Sequence, residues 1–488
     1  MDNQYNWHKR EGLALLTDYY QLTMLGGYFK NHIGNKIVSF DYYFRNLPPH
    51  NGYAVSCGLE EFLYYLQNLK FSDSDIDFLK TKCHFPNDFL DHLKNFKLEL
   101  SVYAMKEGTL AYPYEPVIRV EGPLYQAQLV ETFLLNNMNF QTLIATKAAR
   151  ICQTTDDEPV AEFGLRRAQG PDGGLSGSRA AFIGGCTGTS NVLAGKLYDI
   201  PVIGTQAHSW IMSFPDEISA FRAYADVYPD NCTLLVDTYD TINSGVPNAI
   251  QVFKELKAKG KNVRASIRLD SGDLAKLSKQ AYDMLVKEGF TNPQIVASNE
   301  LDEDIIADLK RQYAKINSWG VGTNLITSKD YPALGGVYKL ASVKEGENWQ
   351  PKMKISSNVE KMTDPCRKEP VRYYDKENRP LGDIIHLIDE NINNSQTINC
   401  TDRRFFFKKY TLQNVERHEK LLVPVLISGK INYDFPSIRD IQTYVREQLN
   451  SLPEEYRRLK NPEFFTVGLS NKLAAVKKGF LEKNNIKS

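Results

Sequence analysis

The stretch at residues 265–299, ASIRLDSGDLAKLSKQAYDMLVKEGFTNPQIVASN, decides the fold of this chain. It begins with a short apolar run, continues with a helical pattern and ends with a second apolar run. The same alternation recurs from about residue 141, where runs such as PVIGT, TLLVDT and INSWGVGT are separated by helix-like segments. Repeated strand–helix units predict a parallel sheet with helices outside it. We expect an α/β fold that closes into an irregular βα barrel, and an open doubly wound sheet is the alternative.

The remaining sequence divides the 488 residues into three regions. Residues 1–140 mix helix-like and strand-like segments and predict an N-terminal, sandwich-like α+β domain. Residues 141–345 carry the predicted βα barrel, which we expect to be the catalytic domain. Residues 346–488 are more polar and predict a C-terminal α+β region that packs partly on the N-terminal domain.

Composition narrows the class of protein. Lys+Arg and Asp+Glu both number 59, so no global charge points to nucleic acid or an anionic membrane. The polar start at residues 1–12 lacks the apolar core of a signal peptide, and no apolar run approaches the roughly 20 residues of a membrane helix. The seven cysteines are scattered, with no CxxC pair. We expect a cytoplasmic protein with reduced thiols that binds neither nucleic acid nor membrane.

Polar residues recur at the points where the predicted barrel strands end. In a βα barrel these ends face one shared mouth, where the active sites of this fold lie. Residues far apart in sequence would therefore meet there. The residues at these ends are Arg166 and Arg167 after AEFG, His208 after VIGT, Asp237 and Thr238 after LLV, Arg268, Asp270 and Asp273 in RLDSGD, and Gly320, Gly322 and Thr323 in SWGVGT.

His208 raises the sharpest question among these residues. It stands in GTQAHSW, residues 204–210. A histidine at such a place is either a core residue bonded to a backbone carbonyl or a catalytic group. Because the neighbouring strand ends supply Arg and Asp, we interpret His208 as catalytic.

The glycine-rich segment at residues 169–191, QGPDGGLSGSRAAFIGGCTGTSN, offers accessible backbone amides. With Ser178, Arg179 and nearby Arg167 it predicts a phosphate cradle, and a flexible connection is the alternative. The segment matches neither the GxxxxGK[ST] nor the GxGxxG pattern. GVGT at residues 320–323 is either a simple turn or a phosphate-binding loop of a late barrel strand.

The segment RLDSGD at residues 268–273 places two carboxylates three residues apart. Asp270 and Asp273 could hold Mg²⁺ or position sugar hydroxyls. The alternative is that Asp270 or Ser271 caps the following helix and Asp273 interacts favourably with its dipole. Arg268 lies just inside the strand, where a guanidinium needs a buried anion or an aromatic face. This requirement favours a functional role for Arg268.

Taken together, several segments resemble the nicotinate phosphoribosyltransferases, a family of type II phosphoribosyltransferases. The resemblance covers most of the chain and implies a βα barrel with an N-terminal α+β domain and a further C-terminal region. The segments, in order, are LLTDYYQLTMLGGY, FGLRRAQGPDGG, TSNVLAGKLYDIPVIGTQAHSW, RLDSGDL, VASNELDE, GVGTNLITSKDYPALGGVYKL and KMKISSNVEKMTDP.

The resemblance implies that nicotinate and phosphoribosyl pyrophosphate give nicotinate mononucleotide and pyrophosphate, coupled to ATP hydrolysis. ATP would phosphorylate His208, and Mg²⁺ would be the metal. Tyr20 and Phe163 look like core residues from their patterns alone, but they match positions that sandwich the pyridine ring. The tyrosine then comes from the second subunit of a homodimer.

The same resemblance, with proximity in the motifs, assigns the other site residues. The implied nicotinate contacts, besides the two aromatic residues, are Arg166, Thr205 and Arg268. The residues placed at phosphoribosyl and phosphate groups are Arg167, Ser178, Arg179, Asp237, Gly320, Gly322 and Thr323. The residues placed at the catalytic step are His208, Arg166 and Asp270, and those placed at Mg²⁺ are Asp270 and Asp273.

Three other functions stay open. A nicotinamide phosphoribosyltransferase is the nearest, but related nicotinamide enzymes carry Asp in a GTD-like segment where this chain has Ser190 and Asn191 in GTSN, which would not repel a carboxylate. A barrel aldolase or isomerase usually needs a Schiff-base lysine or a carboxylate base, and these strand ends offer no lysine. A non-catalytic phosphate-binding barrel is the third. Cys366 stands where family members often have Gly, which leaves that turn's geometry open.

Overall fold

The computed structural model describes residues 10–392 and 395–484. The chain forms two compact units. The first unit consists of residues 1–143 and 333–488, and the second unit of residues 144–332. Most of the polar N-terminal stretch, residues 1–9, lies outside the described residues. Within the described part of the chain, no helix is both long and apolar enough to cross a membrane.

Helices and strands alternate irregularly along the chain. The α-helices are α1 Tyr19–Lys30, α2 Leu59–Gln67, α3 Asp73–Thr81, α4 Asn87–Lys94, α5 Leu124–Leu129, α6 Glu131–Gln153, α7 Gly170–Ile183, α8 Val192–Tyr198, α9 His208–Met212, α10 Glu217–Val227, α11 Val246–Ala258, α12 Leu274–Lys287, α13 Glu303–Arg311, α14 Thr323–Ile326, α15 Ile438–Ser451, α16 Glu454–Arg457 and α17 Asn471–Lys483. The strands are β1 Ile37–Phe44, β2 Ala54–Val55, β3 Ser101–Met105, β4 Leu110–Ala111, β5 Ile118–Pro123, β6 Val160–Glu162, β7 Gly188–Thr189, β8 Thr233–Leu235, β9 Ser266–Leu269, β10 Gln294–Ser298, β11 Ser318–Val321, β12 Gly336–Glu345, β13 Asn348–Pro351, β14 Lys368–Tyr374, β15 Pro380–Leu387, β16 Thr397–Asp402, β17 Lys409–Gln413, β18 Arg417–Lys420, β19 Leu422–Ile427, β20 Lys430–Ile431 and β21 Val467–Leu469.

The segment that opens the sequence analysis forms the predicted strand–helix–strand unit. Asp273 caps α12 by accepting a 3.0 Å hydrogen bond from the backbone N–H of Lys276. The helix buries Leu274 and Leu285 among other apolar residues. It ends before Gly289, whose φ of +88° is a conformation that glycine adopts without strain. The two flanking strands, β9 and β10, then pair in parallel.

The second unit contains a six-stranded parallel sheet with the order β7-β6-β11-β10-β9-β8. Thr189 also pairs in parallel with Val202, which adds a single bridge beyond β7. This order follows the chain around a cycle, with the first strand beside the last. A doubly wound sheet instead proceeds outward from its centre in both directions.

A closed barrel is not seen among these described residues. The sheet has one edge at the Val202 segment and the other at β8, and no backbone ladder joins them. The side chain of Gln206 reaches across instead, donating a 3.2 Å hydrogen bond to the backbone carbonyl of Thr233. We call this place the seam. The mixed α/β character of the unit is therefore as predicted, while barrel closure is not established by strand pairing.

The first unit joins sequence-distant strands in one antiparallel sheet with the order β13-β12-β1-β5-β3-β19-β20. The strand β12, which the sequence placed at the end of the barrel region, pairs with β1 from Val38↔Val343 to Phe44↔Gly336. The C-terminal strand β19 pairs with β3. A second, mixed sheet has the order β17-β16-β21-β15-β14-β18. Continuous backbone ladders therefore group residues after 332 with the N-terminal region.

A group of ionised side chains lies inside the first unit. Asp364 contacts two cations, because its carboxylate oxygens lie 2.7 Å from Arg403 Nε and 2.6 Å from Lys477 Nζ. Lys368 pairs with Asp41 and donates a 2.7 Å hydrogen bond to the backbone carbonyl of Asp364. All five side chains are buried. We call these five residues the buried ion cluster.

Candidate active site

Polar side chains from several strand ends meet in the second unit. They belong to the carboxyl ends of β8, β9 and β10 and to the segment that precedes α9. Each belongs to a strand that pairs in parallel with its neighbour, or to the loop beside it, so the side chains share one edge of the sheet. We call this group the strand-end cluster. Its members are Thr205, His208, Asp237, Arg268, Asp270 and Ser298.

Arg268 is the centre of the strand-end cluster. Its Nε donates to Ser298 Oγ over 2.9 Å, and its Nη1 donates to Thr205 Oγ1 over 2.7 Å and to the Gln206 carbonyl over 3.1 Å. Its Nη2 lies 3.3 Å from Asp270 Oδ1. The guanidinium therefore lies beside an anion, the partly exposed Asp270 carboxylate, and its plane is fixed by four neighbours.

His208 begins α9 and lies between a hydroxyl and a carboxylate. Its Nδ1 is 3.1 Å from Thr238 Oγ1, and its Nε2 is 3.7 Å from Asp270 Oδ2. The ring is 40% exposed, so it is not a core histidine bonded to a backbone carbonyl. If Thr238 accepts a hydrogen bond from Nδ1–H, the free lone pair is on Nε2.

Asp237 holds the loop after β9 in place. Its Oδ2 accepts hydrogen bonds of 2.7 Å from the backbone N–H of Asp270 and from the Ser271 hydroxyl. Its Oδ1 is buried and has no hydrogen-bond partner among the described residues. Asp270 in turn accepts a 2.5 Å hydrogen bond from Ser298. Both carboxylates are thus oriented before any ligand binds.

The carboxylates fit a divalent cation only partly. No group of three or more His, Cys, Asp or Glu side chains with metal-binding spacing occurs in the described part of the chain. Asp270 is 33% exposed, and the free Oδ1 of Asp237 lies in the same cluster. Asp273 is exposed and its Oδ1 caps α12 through Lys276, whereas the capping alternative placed the cap at Asp270 or Ser271. A Mg²⁺ ion that arrives with phosphate oxygens needs only one or two such carboxylates.

Phe163 and Gly320 lie against each other on neighbouring strands. A Cβ on Gly320 would lie 2.7 Å from the Phe163 ring, closer than real contacts allow. Glycine at this position therefore makes room for the half-buried ring. A similar restriction applies to Gly164, where a Cβ would lie 2.5 Å from Ile326. The ring after β6 is held in one place by the backbone around it.

Glu162 is a site residue that the sequence reading missed. Its side chain is fully buried at the end of β6. One oxygen accepts hydrogen bonds of 3.0 Å from Ser178 Oγ and 2.6 Å from Thr189 Oγ1, and the other accepts the backbone N–H of Gly164. This carboxylate ties the turn after β6 to α7 and β7. The signal was an acidic residue inside the apolar run PVAEFG.

The glycine-rich segment is mostly a helix, neither an open cradle nor a flexible connection. Residues 170–183 form α7, which buries Ser178 and Arg179. Arg179 is 1% exposed, with its guanidinium carbon 5.9 Å from the centre of the Tyr198 ring. Arg166 and Arg167 lie in an exposed 3₁₀ turn and form no ion pair within the described ranges. Arg166 and Arg167 are therefore open to solvent, whereas Arg179 is buried.

Thr323 begins α14, directly after β11 and Gly322. Its hydroxyl donates to Glu300 over 3.3 Å, in the loop after β10. That loop contains two non-glycine residues with positive φ, Asn299 at 144° and Glu300 at 38°. Such strained backbone occurs preferentially at functional sites. The GVGT segment is therefore part of a constrained edge of the sheet.

Asn191 in the GTSN segment has a structural role. Its Oδ1 caps α8, and its Nδ2 donates to the Gly174 carbonyl over 3.2 Å. Tyr20 belongs to the first unit, where it lies on α1 and is 51% exposed, although its pattern alone assigned it to a core. Burial, with a smaller contribution from Glu131 and Asp18, raises the pKa of its hydroxyl.

Two further cluster partners are Ser298, which the sequence reading missed, and Thr238, which it noted at a strand end without assigning a role. Both lie at the ends of strands that the sequence identified, in VASN and LLVDT. Hydroxyl residues are common at strand ends, so composition did not separate them from ordinary turn residues. Their partners, Arg268 and His208, are 30 residues away in the sequence.

Comparison with known proteins finds matches along most of the chain. Three family profiles match it: the nicotinate phosphoribosyltransferase N-terminal domain at residues 15–139, the nicotinate phosphoribosyltransferase family at residues 159–378 and the C-terminal domain at residues 367–477. A nicotinate phosphoribosyltransferase of Bacillus subtilis (strain 168) is 46% identical over 95% of this chain and 94% of its own length. The Homo sapiens protein of that name is 32% identical over 95% of both.

Solved structures agree with the sequence comparisons. The crystal structure of human nicotinic acid phosphoribosyltransferase has a TM-score of 0.83 and 30% identity, and the match covers 95% of this chain and 99% of that one. The crystal structure of nicotinate-nucleotide pyrophosphorylase from Pyrococcus furiosus has a TM-score of 0.68 and 25% identity, covering 92% and 97%.

Proposed function

The chain belongs to the nicotinate phosphoribosyltransferase family, and we propose that its strand-end cluster couples the family's reaction to ATP hydrolysis through His208. The enzyme joins nicotinate to the phosphoribosyl group of phosphoribosyl pyrophosphate, which gives nicotinate mononucleotide and pyrophosphate for NAD biosynthesis. The observation that supports the coupling is the convergence of His208, Arg268 and Asp270 at one edge of the parallel sheet.

Arg268 binds the nicotinate carboxylate. A guanidinium has five N–H groups, and four of those on Arg268 already have partners in Ser298, Thr205, Gln206 and Asp270. One N–H on Nη2 remains for the substrate, beside the hydroxyl of Thr205. A fixed positive charge at this place favours a carboxylate over an uncharged carboxamide, so the site selects nicotinate.

The pyridine ring stacks on Phe163, whose ring Gly320 accommodates. The exposed Tyr20 covers the other face, and it comes from the second subunit of a homodimer. Arg166, at the exposed turn after Phe163, completes the nicotinate side. The ring nitrogen is then aimed at C1 of the ribose, which lowers the entropic barrier to attack.

The transfer step needs no strong protein base. The lone pair of the pyridine nitrogen forms the bond to C1, and the bond from C1 to the pyrophosphate oxygen breaks, so pyrophosphate leaves with the electron pair. The transition state has oxocarbenium character, as in glycoside chemistry. The exposed side chain of Arg167 and the strand end at Thr323 stabilise the negative charge that develops on the leaving pyrophosphate.

Mg²⁺ supplies charge neutralisation to the pyrophosphate when it is bound. Asp270 is the residue that holds it, with the unpartnered Oδ1 of Asp237 beside it. Asp273, which caps α12, belongs to the same loop but is the weaker candidate ligand. Ser178 and Arg179 are both buried, so they support the site from within the fold and do not bind the phosphate directly.

His208 is the nucleophile toward ATP. With Nδ1–H donated to Thr238, Nε2 attacks the γ-phosphorus, and ADP leaves with the electrons of the broken P–O bond. Water later hydrolyses the phosphohistidine and releases phosphate. The phosphorylated ring carries negative charge beside Asp270, and repulsion between them rearranges the loop after β9.

Barrel closure is part of the same proposal. The strand order runs around a cycle, and Gln206 spans the seam between the first and last edges. We infer that the seam is where an irregular βα barrel closes, with the strand-end cluster at its mouth. Thr205, Gln206 and His208 belong to one loop at that point.

A labelling experiment tests the role of His208. The enzyme incubated with γ-³²P-ATP should acquire acid-labile label in stoichiometric amount, because phosphohistidine is acid-labile. The His208→Ala variant should acquire none, whereas a His84→Ala control on the exposed surface of the first unit should label as the unaltered enzyme does. Equal labelling of His208→Ala would refute the proposal. Label that is lost in Asp270→Asn but retained in His208→Ala would show that the nucleophile is not His208.

A further inference from the structure

The first unit contains a cavity that the strand-end cluster does not use. Its volume is about 610 Å³, and residues of four segments line it: 45–52, 112–114, 402–410 and 461–467. All of these segments belong to the first unit. The volume falls within the roughly 300–1,000 Å³ that small-molecule sites occupy.

The walls of the cavity are basic. Arg45, Arg403, Arg404 and Lys408 line it, with His50. Arg404 and Lys408 are exposed and form no ion pair with a carboxylate in the described ranges. The cavity therefore presents exposed cations that are not held in direct ion pairs by the described residues.

The two acidic residues in the wall are already engaged by their neighbours. Asp402 accepts hydrogen bonds from the backbone N–H groups of Arg404 and Phe405 over 2.7 and 2.9 Å, and from the Tyr410 hydroxyl over 2.7 Å. Glu463 accepts the backbone N–H of Phe464 over 3.1 Å. No direct ion pair joins either carboxylate to Arg404 or Lys408 in the described ranges, although Asp402 is near enough to attract both cations.

A positive excess also lies behind the wall. Arg403 shares the single carboxylate of Asp364 with Lys477, and Arg403 Nη1 is buried without a hydrogen-bond partner in the described ranges. Burial, together with the nearby cations Arg403 and Lys368, lowers the pKa of Lys477 to about 8, although Asp364 opposes the shift. Two cations, Arg403 and Lys477, therefore share one carboxylate behind this wall.

The backbone around the cavity is strained at three separate places. His50, Tyr114 and Asn461 have φ values of 63°, 72° and 48°, and each belongs to a different wall segment. Non-glycine residues adopt this conformation at an energetic cost and concentrate at ligand sites. Left-handed backbone therefore occurs in three of the four wall segments.

The rim adds an aromatic surface. Phe464 is 86% exposed, and Phe465 beside it stacks on Tyr112 with ring centres 3.9 Å apart. A flat ring can lie on Phe464 while anionic groups reach Arg404 and Lys408. We propose that this cavity binds a nucleoside phosphate at a second site, separate from the strand-end cluster.

Photolabelling tests the second site. The probe is 8-azido-ADP, crosslinked to the full-length enzyme, with the labelled peptides identified by mass spectrometry. Labelled peptides should include residues 402–410 or 461–467. Because the strand-end cluster also binds ATP, further label in residues 144–332 is expected. Label confined to residues 144–332 would overturn the proposal.

Charge reversal supplies the matched control. In Arg404→Glu/Lys408→Glu, labelling of the cavity peptides should fall at least tenfold, while the label in residues 144–332 is retained, which also shows that the variant is folded. Lys70→Glu/Lys80→Glu reverses two exposed cations of the same unit outside the cavity and should change nothing. Undiminished labelling of the cavity peptides in the first variant would overturn the proposal.

Competitors identify what the cavity recognises. Excess ADP should protect the cavity peptides in the unaltered enzyme, and adenosine should not, because it lacks the phosphates that Arg404 and Lys408 bind. Protection by adenosine as strong as by ADP would refute phosphate recognition. Protection by inorganic phosphate at the same concentration as ADP would show that free phosphate, not a nucleotide, is the ligand.

Discussion

The strand-end cluster and the buried ion cluster are built from similar side chains but differ in the exposure of their charged groups. Asp270 is 33% exposed and His208 is 40% exposed, so their polar atoms can reach a ligand. Asp364 and Lys477 are 3% exposed and contact only protein groups. The first cluster keeps charge available at the surface of the sheet, and the second uses it to join distant parts of the first unit.

The difference shows that the surroundings of a charged group decide its role. Asp364 is surrounded by cations, which hold its pKa well below the usual range despite its burial. Asp237 holds a loop with one oxygen and leaves the other without a partner. We therefore expect substitutions in the buried ion cluster to change stability and those in the strand-end cluster to change catalysis.

The largest expected effect comes from Asp364→Asn in the buried ion cluster. The variant leaves Arg403 and Lys477 buried without their shared carboxylate, which should lower the free energy of unfolding by about 3–5 kcal/mol. Urea unfolding measures the loss. Asp73→Asn, which removes an exposed partner of Lys94 in the same unit, is the control and should leave the midpoint unchanged. A midpoint for Asp364→Asn equal to that control would contradict the comparison.

The second effect depends on pH and belongs to Lys477. Burial lowers its pKa from 10.5 to about 8, so between pH 8 and 10.5 the unfolded chain holds a proton that the folded chain lacks. The contribution of Lys477 to the free energy of unfolding is therefore smallest below pH 8 and rises by up to about 3 kcal/mol toward pH 10.5.

Urea unfolding of the unaltered enzyme and Lys477→Met at pH 7.5, 9 and 10 isolates this contribution. Other groups titrate in the same range, so the quantity compared is the difference between the two proteins. That difference should change with pH in favour of the unaltered enzyme. A difference that stays constant across the three pH values would show that Lys477 does not titrate there.

The third effect tests the strand-end cluster with Arg268→Lys. A lysine keeps the charge but cannot bond Ser298, Thr205 and the substrate carboxylate together. We expect kcat/KM for nicotinate to fall about 100-fold, which corresponds to about 2.7 kcal/mol, with little change in the urea midpoint. Arg222→Lys, at an exposed pair with Glu255, should keep full activity. A loss of stability as large as that of Asp364→Asn would erase the distinction between the two clusters.

The smallest effect concerns Cys366, next to the buried ion cluster. Its φ is +74°, so the turn keeps the left-handed conformation although the residue is not the expected glycine. Cys366→Gly should raise the free energy of unfolding by about 1 kcal/mol, because glycine adopts this conformation without strain. Cys366→Ala removes the thiol but keeps the strained Cβ and should give no gain. An equal gain in both variants would assign the effect to the thiol.

Much of the fold follows from periodicity. The apolar run, helical pattern and Gly289 in the opening segment indicated β9, α12 and its end, and the structure agrees. The helix α7 was not foreseen, because its glycines disfavour helix on propensity alone. Close packing requires glycine inside this helix, because a Cβ on Gly174 would lie 2.7 Å from the Leu165 side chain. The long-range strand pairing of β12 with β1 leaves no local signal either.

The site was foreseen where strand geometry determines it. Parallel strands bring Asp237, Arg268 and Asp270 to one edge, so their meeting follows from the βα pattern. The burial of Arg179 does not follow, because a single sequence gives no measure of how deep a helix packs. Glu162 escaped notice because its partners, Ser178 and Thr189, lie 16 and 27 residues away.

The seam has a consequence for motion. Amide groups inside a continuous ladder exchange with solvent only when neighbouring strands open together, whereas amides at an unpaired edge can open alone. The loop with Thr205 and His208 is joined to the sheet by the Thr189–Val202 bridge on one side and only by side-chain hydrogen bonds on the other, from the Gln206 amide and from Arg268. This loop, which we propose contacts nicotinate and ATP, can therefore move as one short segment while the strands behind it stay still.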